Sequence, residues 1–68
     1  MWTEELQQQT REFFKTLNGA FMKHFGDSQF GLCIYQDGKY VIKDRENFEN
    51  FWEYDSVDEM LKDGWAID

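Results

Sequence analysis

The sequence predicts a small two-layer α+β domain. It should have a long N-terminal helix, an antiparallel β-hairpin or three-stranded meander, and a short C-terminal helix, in the order α-β-β-(β)-α. Three observations lead there. Apolar residues recur with helical spacing through the first 25 positions, Asp37-Gly38 separates two apolar runs, and Ser56-Val57-Asp58-Glu59 has the pattern that opens a helix. A chain of 68 residues has room for one domain, 1–68.

Residues 3 to 25 read as one helix. At about 100° per residue, Trp2, Leu6, Thr10, Phe13, Phe14, Leu17, Ala20, Phe21, His24 and Phe25 share an arc. Thr3 suits the N-cap, Glu4 and Glu5 complement the positive end of the helix dipole, and Gly26 suits a left-handed closing residue. Asn18-Gly19 is a turn-forming pair. Because the apolar phase holds on both sides of it, the expectation is that the helix continues and that Gly19 costs about 1 kcal/mol relative to alanine.

Residues 30 to 43 read as a hairpin around Asp37-Gly38, a preferred pair for a two-residue type I′ turn, whose central positions both need positive φ. That turn fixes the register: Gln36 opposite Lys39, Tyr35 opposite Tyr40, Ile34 opposite Val41, Cys33 opposite Ile42. Alternation then puts Cys33, Tyr35, Tyr40 and Ile42 on one face and Phe30, Leu32, Ile34 and Val41 on the other. Both faces are apolar, so each needs a cover. Residues 47 to 54, rich in aromatics, are expected to form a third antiparallel strand. Ser56 and Glu59 form a capping box, Asp58 and Lys62 an i,i+4 pair, and Gly64 closes the last helix so that Trp65 packs back on Met60.

Thirteen aromatics (seven Phe, three Trp, three Tyr) and a hydrophobic content of 41% argue against disorder. No apolar run approaches the roughly 20 residues that cross a bilayer. The first residues lack the basic and apolar regions of a secretory signal, and one cysteine cannot form an intrachain disulfide. The expectation is a cytoplasmic protein without membrane association. Net charge is −7, and residues 44 to 68 hold all of it: Asp44, Glu46, Glu49, Glu53, Asp55, Asp58, Glu59, Asp63 and Asp68 against Arg45 and Lys62. That balance disfavours direct contact with nucleic-acid phosphates, which needs clustered Lys and Arg.

Little in the sequence suggests catalysis. Cys33 and His24 are the sole candidates for a thiol–imidazole pair, and both fall in apolar patterns. Zinc would need more Cys and His ligands than these. The acids near Asp55 lack the alternation and central glycine of a calcium loop. Neither a cofactor nor a metal is expected. The reading that remains is a non-enzymatic protein-binding module, with a basic protein or a second copy of the chain as partner. Its contact residues are drawn from Tyr35, Tyr40, Ile42, Trp52 and Tyr54 and from the acids Glu49, Glu53, Asp55 and Asp58. The alternative is an acidic decoy whose carboxylates imitate phosphates and occupy a nucleic-acid-binding protein, as small phage and mobile-element inhibitors do. A cysteine-dependent enzyme comes third.

Overall fold

Helix α1 (Glu4–Thr16) starts where the sequence places it, with Thr3 as N-cap accepting from the Leu6 amide at 3.2 Å. It stops nine residues short of the expected end at residue 25: Leu17 is already extended, at φ −123° and ψ 146°. The computed structural model describes residues 1–26 and 29–68; Asp27 and Ser28 lie outside the described residues. What continued the helical phase on paper is strand β1 (Gly19–His24). The strand reading explains Met22, which the helical arc leaves out and which is fully buried. In a strand, Ala20, Met22 and His24 share one face, and Phe21 and Lys23 take the other. A helix would also have kept the cost of Gly19. Gly26 does adopt a left-handed φ of 100°, but it closes this strand and not a helix.

The hairpin forms as expected. Strands β2 (Phe30–Gln36) and β3 (Lys39–Asp44) pair in the anticipated register, from Gln36 opposite Lys39 to Cys33 opposite Ile42. Asp37 and Gly38 have φ of 53° and 80°. The aromatic segment is a strand, but a short one: β4 (Phe51–Tyr54) pairs antiparallel with β3. Helix α2 (Val57–Lys62) follows, and Gly64, at φ 107°, leads out of it. One half of its capping box is as expected, since Ser56 Oγ accepts from the Glu59 amide at 3.2 Å. The Glu59 carboxylate reaches the amide of Asp55, at 2.9 Å, one residue before the expected one. Asp58, expected to pair with Lys62, receives Arg11 at 2.7 Å and so ties α2 to α1. The chain ends in a strand the sequence did not suggest, β5 (Trp65–Ile67), antiparallel to β1.

The result is a five-stranded antiparallel sheet in the order β4-β3-β2-β1-β5 with the helices on one face, a small α+β domain. Met22, Cys33, Ile42 and Trp65 from the sheet meet Phe14 of α1 and Met60 of α2 in one core cluster. Gly31 makes room for this packing. A β-carbon there would lie 2.5 Å from Ile42 Cγ2 and 3.1 Å from the Lys43 carbonyl oxygen.

Two substitutions test this architecture. Gly31→Ala should destabilise the domain by about 1–3 kcal/mol in chemical denaturation, because the core has no space for the methyl group. Gly38→Val should cost a similar ~1–3 kcal/mol, because a β-branched residue resists positive φ. Unchanged denaturation midpoints would sink, respectively, the close packing at Gly31 and the turn at Gly38.

Candidate functional site

The helical layer settles where the sequence-derived contact residues lie. Tyr35, Tyr40, Ile42, Trp52 and Tyr54 all share the face that α1 and α2 cover. Ile42 is fully buried, so it is a core residue and not a contact residue. Tyr40 packs edge-on against Phe14 of α1 at 5.6 Å between ring centres, and Trp52 lies 5.3 Å from Trp65. Tyr54 is half-buried: its hydroxyl accepts from the Trp65 indole N–H at 3.1 Å and donates to the Asp63 carboxylate. Burial, then the hydrogen bond to Asp63, holds its phenol well above the usual tyrosine range. Tyr35 alone of the five is exposed, stacked at a tilt on Tyr40.

The opposite face of the sheet carries Phe21 from β1, Phe30, Leu32 and Ile34 from β2, Val41 and Lys43 from β3, and Phe51 and Glu53 from β4. Neither helix lies over this face. Phe21 is 56% exposed, Phe51 54%, Phe30 46% and Ile34 36%, while Leu32 and Val41 between them are half-buried. Cross-strand pairing makes these residues contiguous, because Phe21 sits opposite Leu32, Leu32 opposite Lys43, and Lys43 opposite Phe51. In the next row Ile34 is opposite Val41, and Val41 opposite Glu53. Just beyond β3, the Arg45 guanidinium lies 4.9 Å from the centre of the Phe21 ring, and the Arg45 amide donates to the Phe30 carbonyl at 3.1 Å. Lys23, opposite Phe30, sets its ammonium 4.9 Å from the Trp2 ring.

Of the expected acidic contacts, Glu49, Glu53, Asp55 and Asp58 are all exposed. Glu53 and Asp55 line a shallow groove with Lys39, Tyr54, Glu59, Lys62 and Asp63. The groove is not uniformly negative: Lys39 forms an ion pair with Asp55. Asp58, nearby on α2, is held by Arg11.

The two groups with nucleophilic or acid–base chemistry are engaged structurally. Cys33 is fully buried, with its thiol 3.8 Å from Met60 Sδ, and burial pushes the thiol up to about 12. His24 Nε2 lies 2.7 Å from the Asp63 carbonyl oxygen, and the ring meets Trp65 edge-on at 4.8 Å. Among the described residues no group of three His, Cys, Asp or Glu is placed to hold a metal ion. Among the described residues no helix is long and apolar enough to cross a membrane.

Phe21, Phe30 and Phe51 were not among the residues the sequence suggested for contact. Phe30 was assigned to the correct hairpin face, and the period-two spacing of Ala20, Met22 and His24 was the available signal for β1. Compared with known protein families, curated proteins and solved structures, the chain matches none of them.

The thiol supplies a pH test. Unfolded, it ionises near about 8.5. Folded, it keeps its proton to about 12, so the native state binds the extra proton and stability falls as pH rises from about 9 towards 12. Cys33→Ala should flatten that decline by up to about 1.4 kcal/mol per pH unit, read from urea midpoints across the range. The native thiol should also resist iodoacetamide at pH 8 until denaturant is added, and rapid labelling of the folded chain would contradict this burial.

Proposed function

We propose that this chain is a non-enzymatic protein-binding module that works through the open face of its sheet. The observation that carries the reading is the contiguous set Phe21, Phe30, Leu32, Ile34, Val41 and Phe51, left uncovered while both helices pack on the other side. A contiguous apolar patch on a small domain marks an interaction surface more often than it marks anything else. Exposed phenylalanines at its border are suited to anchoring a partner, since aromatic side chains are enriched where interfaces are buried. The two longer dimensions of the molecule, 31 and 28 Å, are of the scale of the roughly 800 Å² per partner of a standard interface.

The engaged state of Cys33 and His24 supports a binding role over thiol chemistry, because a thiol protonated to about 12 is a poor nucleophile at neutral pH. The acidic-decoy reading rests on the carboxylates around α2, namely Glu53, Asp55, Glu59 and Asp63. It is weakened by the ion pairs of Asp55 with Lys39 and Asp58 with Arg11, which spend part of that charge internally.

Two variants distinguish these readings. Phe21→Ser with Phe51→Ser strips the open face, and Glu59→Gln with Asp63→Asn thins the acidic groove. Protein retained from a lysate on immobilised chain, compared quantitatively with retention by each variant, should fall at least tenfold with the first and change little with the second. The first pair should leave the thermal midpoint equal or higher, because each ring is more than half exposed. The reverse pattern would favour the decoy, and retention indifferent to both pairs would overturn both readings.

A further inference from the structure

The open face is not merely apolar; its charge runs against that of the whole chain. In a protein of net charge −7, Lys23, Lys43 and Arg45 stand among Phe21, Phe30 and Phe51 on the same half of one face. Lys43 sits between Leu32 and Phe51 in the cross-strand row, and Arg45 bridges from the end of β3 to the Phe21 ring. The bases of the helical layer are used differently, with Arg11 held against Asp58 and Lys15 against Glu12. Half of the 14 carboxylates lie on or beside the helices: Glu4, Glu5 and Glu12 on α1, Asp55, Asp58, Glu59 and Asp63 on or flanking α2. The molecule is 16 Å across its short dimension, about two Debye lengths at physiological salt, so acids at that distance are largely screened from a ligand at the open face, and Glu53 and Glu46 are the carboxylates it meets at close range.

We infer that the face formed by Phe21, Leu32, Ile34, Val41 and Phe51 with Lys23, Lys43 and Arg45 docks an acidic protein segment, one whose apolar stripe is bordered by carboxylates. This rests on the protein-binding reading above and adds the partner's chemistry, which is opposite in sign to the basic partner that composition alone suggested. The aliphatic centre of the face accepts apolar side chains, and the three cations at its border pair with carboxylates and select against a basic partner. Two other occupants fit less well. A nucleic-acid strand would stack on the phenylalanines, but its continuous run of phosphates needs a continuous cationic groove, and here Glu53 beside Val41 and Glu46 beside Phe30 and Arg45 interrupt the cations, whereas a peptide needs a carboxylate only opposite each cation. A second copy of the chain would bring the same cluster of cations against this one.

The test uses the full chain and synthetic probes. Fluorescence anisotropy compares a labelled amphipathic helical peptide with a leucine stripe flanked by glutamates, the same peptide with lysines replacing the glutamates, and a single-stranded oligothymidylate. Sedimentation velocity of the chain alone is run in parallel. The acidic peptide should bind at least tenfold more tightly than the basic one, weaken severalfold between 50 and 500 mM salt, and shift the amide resonances of Phe21, Leu32, Lys43 and Phe51. Lys43→Glu with Arg45→Glu should reverse the preference between the peptides. The salt dependence of the unaltered chain makes the same test should that variant fold poorly. Tighter binding of the basic peptide at the same amides would overturn the acidic partner and leave the docking face standing. Failure of both peptides to bind would overturn the docking face as well. Preference for the oligothymidylate would show a nucleic-acid platform instead, and a dimer abolished by Phe21→Ser would show that the occupant is a second copy.

Discussion

The structure depends on the burial of Trp65. Its indole is the largest fully buried side chain, and it sits where three elements converge: against His24 of β1, against Trp52 of β4 and within the cluster that holds Met60 of α2. A domain of this size has few residues with which to build a core, and one ring of this volume replaces several smaller ones. Burying it requires a partner for its N–H, which the Tyr54 hydroxyl provides, and the Tyr54 hydroxyl in turn donates to Asp63 at the end of α2. The neighbouring packing also requires the absence of a side chain at Gly31, where a β-carbon would lie 2.5 Å from Ile42 Cγ2 and 3.1 Å from the Lys43 carbonyl oxygen. Gly64 serves the same end: its left-handed φ turns the chain from α2 into β5, and its backbone comes close to the His24 ring.

That arrangement decides which sheet face the helices can cover. Because Trp65 enters from β5, at one edge of the sheet, the adjoining strand must be completed there, and α1 helps to complete it. The Ile67 amide donates to Thr10 Oγ1 at 3.3 Å, while the Thr10 hydroxyl donates to the Leu6 carbonyl at 2.8 Å. A fully buried threonine thus ties helix to strand at an edge that would otherwise invite pairing with another chain. With α1 tied to β5 and α2 to α1 through Arg11 and Asp58, both helices are committed to the same layer. On the second face Trp2 packs against Lys23 and Phe25 at the β1–β5 end, where Ala66 is buried, and Phe21, Phe30, Ile34 and Phe51 stay exposed. The open face is in this sense a consequence of how the core is satisfied.

The same layering sorts the charges. Carboxylates suit the first turns of the two helices, where they complement the dipole, and Glu4, Glu5, Asp58 and Glu59 occupy those turns. Strand positions facing away from the helices go to Lys23, Lys39 and Lys43, with the Lys23 ammonium over the Trp2 ring and Lys39 paired with Asp55. The net charge of the chain therefore says little about what its open face attracts.

What the sequence determined by itself is local. The Asp37-Gly38 turn, the register from Gln36 and Lys39 to Cys33 and Ile42, the Thr3 and Ser56 caps and the left-handed conformation of Gly64 each depend on a few adjacent residues. The α+β class followed from those elements. What only the tertiary structure decided is non-local. Residues 19 to 24 fit a helical arc as well as a strand when read alone, and pairing with β2 and β5, through Phe21 with Leu32 and His24 with Trp65, selects the strand. Three residues at the end of the chain are too few to signal β5, which exists because β1 offers it an edge and Thr10 takes its outer amide. Both hairpin faces were visibly apolar, and periodicity could not choose between them. The choice went to the face of Cys33 and Ile42, because only there could Trp65, Met60 and Phe14 close a packed core, and the phenylalanines were left on the outside.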